Sequence, residues 1–147
     1  GIDLKTWGLL GNAFFFIAIL TGRFLGSVIL SWVKPHSFFR MTVALSVLGL
    51  LLIFVDNQVV TLAGVFITGL GFANIFPLIF SITVDSMPER ANEISGLMVT
   101  AIAGGAFIPP LMGLLADATS VRLGFIVPLA GIAFIALLTM VKPKTQS

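Results

Sequence analysis

Five runs of apolar residues, separated by short polar interruptions, limit this chain to a small set of folds. They cover residues 6–33, 38–55, 59–84, 91–116 and 123–141. A helix needs about 20 apolar residues to cross a hydrocarbon core of about 30 Å, and each run meets or approaches that length. Backbone N–H and C=O groups facing lipid must be paired internally, so a spanning segment is a helix or a strand of a closed barrel. Barrel strands alternate in polarity and run about ten residues, whereas these runs are continuously apolar. The reading is therefore all-α and membrane-spanning. The interruptions at Lys34-Pro35-His36-Ser37, Asp56-Asn57-Gln58, 85–90 and 117–122 hold charges or turn formers. Their shortness makes neighbouring helices antiparallel.

Composition agrees. Hydrophobic residues make up 58% of the 147, charged residues 10%, and mean hydropathy is +1.14. A soluble domain carries roughly a quarter charged residues, so this chain relies on the lipid bilayer to cover it. Eight Lys and Arg against six Asp and Glu give a net charge of +2. No cationic run follows a phosphate backbone, which removes nucleic acid as a partner. The absence of cysteine and the single histidine argue against disulfides, thiolate chemistry and a zinc site. Nucleotide-binding, hydrolase-elbow and zinc-protease motifs are missing, so no catalytic residue, metal or cofactor is expected and the chain is not read as an enzyme. Gly1 stands where an initiator Met would, and the sequence is expected to be a piece of a longer protein.

Orientation follows from the cations. Lys34, Arg40, Arg90, Lys142 and Lys144 fall on one side, Lys5 and Arg122 on the other, which puts the first and third loops and the C-terminus in the cytoplasm. Trp7 and Trp32 bracket the first span at headgroup level. Ser86-Met87-Pro88-Glu89 fits a capping box opening the fourth span, with Asp85, Glu89 and Glu93 suited to the positive end of that helix.

Helices in lipid associate through small residues that let backbones approach. Gly22 and Gly26 form such a pair in the first span. In the fourth, Gly96, Thr100 and Gly104 repeat at four-residue spacing, as do Ala101, Gly105, Pro109 and Gly113, predicting neighbours on two faces. The leucine-rich second span (Leu48, Leu50, Leu51, Leu52, Ile53) reads as a lipid-facing support. Gly104-Gly105 followed by Pro109-Pro110 predicts a kink, either a fixed bend for packing or a gating hinge.

Polar residues at membrane depth are the candidate functional groups. Arg23 is the ionised side chain well within a span. It suits a substrate or gating contact, or a structural ion pair with Asp85 or Glu93. Asn74 lies near the middle of the third span, where its amide fits either sugar hydroxyls or an interhelical hydrogen bond. Asn12 and Thr100 are weaker candidates of the same kind, Thr100 because threonine hydroxyls bond back to their own helix. His36 reads as a solvated loop residue. No Asp or Glu sits at mid-membrane depth, so a proton-carrying carboxylate would have to lie elsewhere.

Three stretches together resemble the fucose and glucose–galactose permease branch of the major facilitator superfamily. They are Gly22-Arg23-Phe24-Leu25-Gly26, Gly71-Phe72-Ala73-Asn74-Ile75-Phe76-Pro77-Leu78-Ile79-Phe80-Ser81, and Gly104-Gly105-Ala106-Phe107-Ile108-Pro109-Pro110-Leu111-Met112-Gly113 with Ala116-Asp117. The resemblance implies the five-helix C-terminal part, helices eight to twelve, of a twelve-helix transporter in two pseudo-symmetric bundles with alternating access. It implies proton-coupled uptake of a hexose or deoxyhexose across a bacterial inner membrane, with the coupling carboxylates in N-terminal helices of the same protein. Ser31 stands where the superfamily's loop pattern has an acidic–basic pair. A transporter of a different substrate class and a non-transport helical membrane subunit are the alternatives. Five helices by themselves are not expected to transport.

Overall fold

The structure, a computed structural model, describes residues 4–141. Lys142 and Lys144 lie outside the described residues, and Lys5 and Trp7 are described by their backbone alone. The chain is helical throughout that range: α1 (Leu4–Ile29), α2 (Pro35–Ile53), α3 (Gln58–Ser86), a single 3₁₀ turn (Pro88–Arg90), α4 (Ala91–Gly105), α5 (Ile108–Ala118), α6 (Val121–Gly124) and α7 (Ile126–Met140). Taken as α1, α2, α3, α4 with α5, and α6 with α7, these form five segments long and apolar enough to cross a membrane.

Local chemistry sets the boundaries. Pro35 opens α2 at its first turn, where a missing N–H costs nothing. Asn57 caps α3, its Oδ1 accepting from the N–H of Val59 at 3.0 Å and of Val60 at 3.2 Å. The fourth span is interrupted at Ala106–Phe107, one turn ahead of Pro109 and Pro110. Neither proline can donate to the carbonyl four residues earlier, and each ring crowds that carbonyl. Tighter bonds bridge the break, from Ala106 N–H to Ala103 O at 3.1 Å and from Phe107 N–H to Gly104 O at 3.2 Å. Pro128 acts in the same way on Gly124, and the last span breaks at Phe125.

The capping box does not form. Ser86 is the last residue of α3, and its hydroxyl donates back to Thr83 O at 2.8 Å. Pro88 then starts the 3₁₀ turn, and α4 begins at Ala91 with no side-chain cap. Ser86 is still helical and its hydroxyl is committed to α3, and Pro88 biases Met87 to an extended backbone, so Ser86 is not placed as the cap of α4.

α3 is the packing hub. Toward α2 it presents Gly64, Thr68 and Gly71. A Cβ on Gly49 of α2 would lie 2.5 Å from Thr68 N and 2.9 Å from Gly64 O, so the two backbones are nearly in contact. Toward α1, on its opposite side, α3 presents Gly69 and Ala73; a Cβ on Gly22 would lie 2.8 Å from Ala73 Cβ. The expectation that α2 is a lipid-facing support is therefore wrong. Its Thr42, Val43, Ser46, Gly49, Leu50 and Ile53 are buried, leaving Leu48 and Leu51 outside. Leu50 and Ile53 join Val43, Ile75 and Ile132 in the apolar cluster through which α7 docks on α2 and α3.

α4 differs. Ile94 is its one buried residue among those described, and Cβ atoms added at Gly96, Gly104 or Gly105 would meet nothing within 4 Å. The glycines on both predicted faces of the fourth span meet no neighbour among the described residues; the span is held instead where α4 touches α3 and α5 touches α6 and α7. Large apolar side chains such as Leu20, Phe24, Leu97 and Leu114 also stand exposed, a surface for lipid or further helices rather than water.

Arg122 Nη2 donates to Asp56 Oδ1 at 2.6 Å, tying the α2–α3 loop to the start of α6 at one end of the bundle. Both side chains are exposed, and such pairs contribute about 0–1 kcal/mol.

Candidate functional site

A cleft of about 590 Å³ opens between α1 on one side and α5 with the start of α7 on the other. Gly8, Gly11, Asn12 and Phe15 form the α1 wall. Their spacing of i, i+3, i+4 and i+7 places them on one helix face. Ile108, Pro109 and Met112 form the facing wall, with Phe125 and Pro128 beside them. The break before Pro109 makes that wall the start of a separate helix, α5. Leu50 and Ile53 of α2 and Val65, Thr68 and Phe72 of α3 make the floor. The polar side chains lining it are Asn12 and Thr68, and the Thr68 hydroxyl donates to Gly64 O at 2.8 Å within its own helix. Asn12 is exposed and lines the cleft with no side-chain hydrogen bond among the described residues, so its two N–H donors and carbonyl share the lining with Phe15, Phe72 and Phe125. An apolar lining with a few placed polar groups is the usual composition of a small-molecule site.

Of the predicted residues, Asn12 and Pro109 meet in this cleft, and the others lie elsewhere. Asn74 is buried at the crossing of α1 and α3, 7% exposed, with its Nδ2 donating to Gly22 O at 2.7 Å. Its amide lies against Gly26, where an added Cβ would be 2.5 Å from Oδ1. It makes the interhelical hydrogen bond, one of the two arrangements expected of it. Thr100 is exposed on α4, and its hydroxyl bonds back to Gly96 O at 3.0 Å.

The ion pair of Arg23 with Asp85 or Glu93 does not occur; Arg122–Asp56 is the one salt bridge among the described residues. The register explains this. α1 and α3 run parallel with Gly26 against Asn74, which sets Arg23 about 14 residues, roughly 21 Å, short of the level of Asp85. Asp85 instead accepts from the Ser81 hydroxyl at 3.3 Å, and Glu93 is exposed on α4. Arg23 is also exposed. Gly104 and Gly105 end α4 on the open side of the break, and Pro110 follows Pro109 in the first turn of α5.

Phe15, Thr68, Phe72 and Phe125 were not singled out from the sequence. The one-face pattern of Gly8, Gly11, Asn12 and Phe15 was available as a signal. The floor residues, by contrast, become neighbours of α1 only through tertiary packing.

A family model described as Major Facilitator Superfamily matches residues 1–147. The chain is 27% identical over 133 residues to the glucose/galactose transporter of Brucella abortus, covering 90% of this chain and 32% of that protein. It is 35% identical over 101 residues to the putative glucose/galactose transporter of Helicobacter pylori, covering 67% and 24%. Similarity to the L-fucose-proton symporter of Haemophilus influenzae is 31% over 128 residues, covering 80% and 29%. The chain thus spans about a third or less of the length of these relatives. No solved structure gives a significant match.

Proposed function

Because the chain belongs to the Major Facilitator Superfamily, we propose that it supplies five helices, the eighth to the twelfth, of a twelve-helix permease that takes up a hexose or deoxyhexose together with a proton. The names of the matched relatives support the sugar, and the name of one supports the proton. The cleft beside Asn12 carries the reading, because phenylalanine rings suit the C–H face of a pyranose and an amide suits its hydroxyl edge.

The described acidic residues in the helices and their loops lie toward the ends of the spans, so the proton carrier is assigned to helices outside this chain. Those helices also cover the open glycine faces of α4. There Thr100 remains a weaker sugar candidate, and Gly104-Gly105 with Pro109-Pro110 flank a hinge for alternating access. Asn74, buried with its Nδ2 on Gly22 O, is assigned to the α1–α3 crossing and the sugar contact to Asn12. The cationic loops face the cytoplasm of a bacterial inner membrane.

In the complete protein, Asn12→Ala raises the KM for the transported sugar about threefold to tenfold, the worth of one lost hydrogen bond. The check is initial uptake rate against sugar concentration, normalised to protein in the membrane. An unchanged KM removes Asn12 from the site. A second reading rests on Gly8 and Gly11, where an added Cβ meets nothing within 4 Å, a small-residue face of α1 of the kind on which another membrane helix packs. Loss of folded Asn12→Ala protein, with unchanged KM in what remains, favours that reading.

A further inference from the structure

A second cleft, of about 400 Å³, lies at the end of the bundle opposite the Arg122–Asp56 pair, where α2 begins and α3 and α7 end. His36 and Arg40, one turn apart on α2, are two of its lining residues. Both are exposed, and neither takes part in a salt bridge among the described residues. The interior is apolar, built from Phe39, Ile79, Ile82, Ile135 and Leu138.

Two lining threonines add no free donor, since Thr83 Oγ1 donates to Ile79 O at 2.6 Å and Thr139 Oγ1 to Ala136 O at 2.7 Å. No carboxylate lines the cleft among the described residues. Asp85, three residues beyond Ile82 on α3, accepts from the Ser81 hydroxyl at 3.3 Å and is not one of the lining residues. A polyhydroxy solute would find nothing to bond in such an interior, and a bare anion would gain nothing from it. An amphiphile with an anionic head and a hydrocarbon tail fits both parts.

We propose that this cleft holds an anionic phospholipid, with its phosphate on Arg40 and His36 and an acyl chain between α2, α3 and α7. The first turn of α2, with its free N–H groups and the neighbouring Lys34, adds to the positive potential at the mouth. Basic pockets between helices at a membrane surface take anionic headgroups in this way, each cation contributing about 1 kcal/mol.

The test is native mass spectrometry of the complete protein, purified with equal amounts of phosphatidylglycerol and phosphatidylcholine. The wild type is expected to retain phosphatidylglycerol roughly fivefold over phosphatidylcholine, the worth of the one Arg40 contact at about 1 kcal/mol. The double variant His36→Gln, Arg40→Gln should lose that preference, and its exposed side chains leave the packing intact. Thr139→Trp, which fills the apolar part, should lower retention of both lipids, and millimolar inorganic phosphate should displace neither. Equal retention of the two lipids by the wild type would overturn the proposal. So would an undiminished preference in the double variant, unchanged retention in Thr139→Trp, or displacement by inorganic phosphate, which would reduce the site to a simple anion contact.

Discussion

Gly71→Leu should leave almost no folded protein in the membrane. A Cβ at this position would overlap Ser46 Oγ and lie 2.8 Å from both Ser46 N and Thr42 O of α2. Two of those three atoms belong to backbone, so no rotamer change relieves the clash. The adjacent contact repeats the constraint, since a Cβ on Gly64 would lie 2.7 Å from Gly49 O. Overpacking a core typically costs 1–3 kcal/mol. A leucine wedged between two touching helix backbones should cost about 3 kcal/mol or more. Size-exclusion chromatography of a fluorescently tagged complete protein reads the result. Gly131→Leu on α7, where nothing lies within 4 Å of an added Cβ, should elute as wild type does. A monodisperse Gly71→Leu peak of normal height would mean that α2 and α3 do not approach as described.

Gly26→Leu should be nearly as damaging at the other face of α3. Its Cβ would stand 2.5 Å from Asn74 Oδ1 and 2.6 Å from Nδ2, forcing the amide off Gly22 O and prising α1 from α3. Asn74→Ala removes the same hydrogen bond without the clash, and an interhelical bond in lipid contributes about 1 kcal/mol. Thermal unfolding should therefore rank Gly26→Leu well below Asn74→Ala, and Asn74→Ala modestly below wild type, with its sugar KM unchanged. A raised KM with unaltered stability would instead make Asn74 a sugar contact.

The spans were legible because membrane helices are constrained by hydropathy and length, and both are local properties of sequence. The pairing of Gly22 with Gly26 was legible for a similar reason, as small residues one turn apart mark a close approach. What misled was leucine content. In a soluble protein a leucine-rich face points to the core, but lipid is as apolar as any core, so Leu48 and Leu51 face outward while Leu50 and Ile53 face inward. The informative residues of α2 are Thr42, Ser46 and Gly49, small and on one face, and these meet α3.

The failed pairing of Arg23 with Asp85 has another cause. Sequence places both on spans that run the same way, but only the register set by Gly26 against Asn74 shows how far apart they stand. The cleft was half legible. Its α1 wall is written in the spacing of Gly8, Gly11, Asn12 and Phe15, whereas its floor depends on how α2 and α3 cross. The glycine faces of α4 were expected to be packing surfaces, and no partner for them is found among the described residues.

Proton-coupled sugar uptake, the function proposed for the complete protein, is open to direct test. The direct test follows external pH in a weakly buffered suspension of cells expressing it, as fucose, galactose and glucose are added in turn. Alkalinisation is expected with at least one of these sugars, abolished by a protonophore. No alkalinisation with any of them, with the protein shown to be in the membrane, would contradict it.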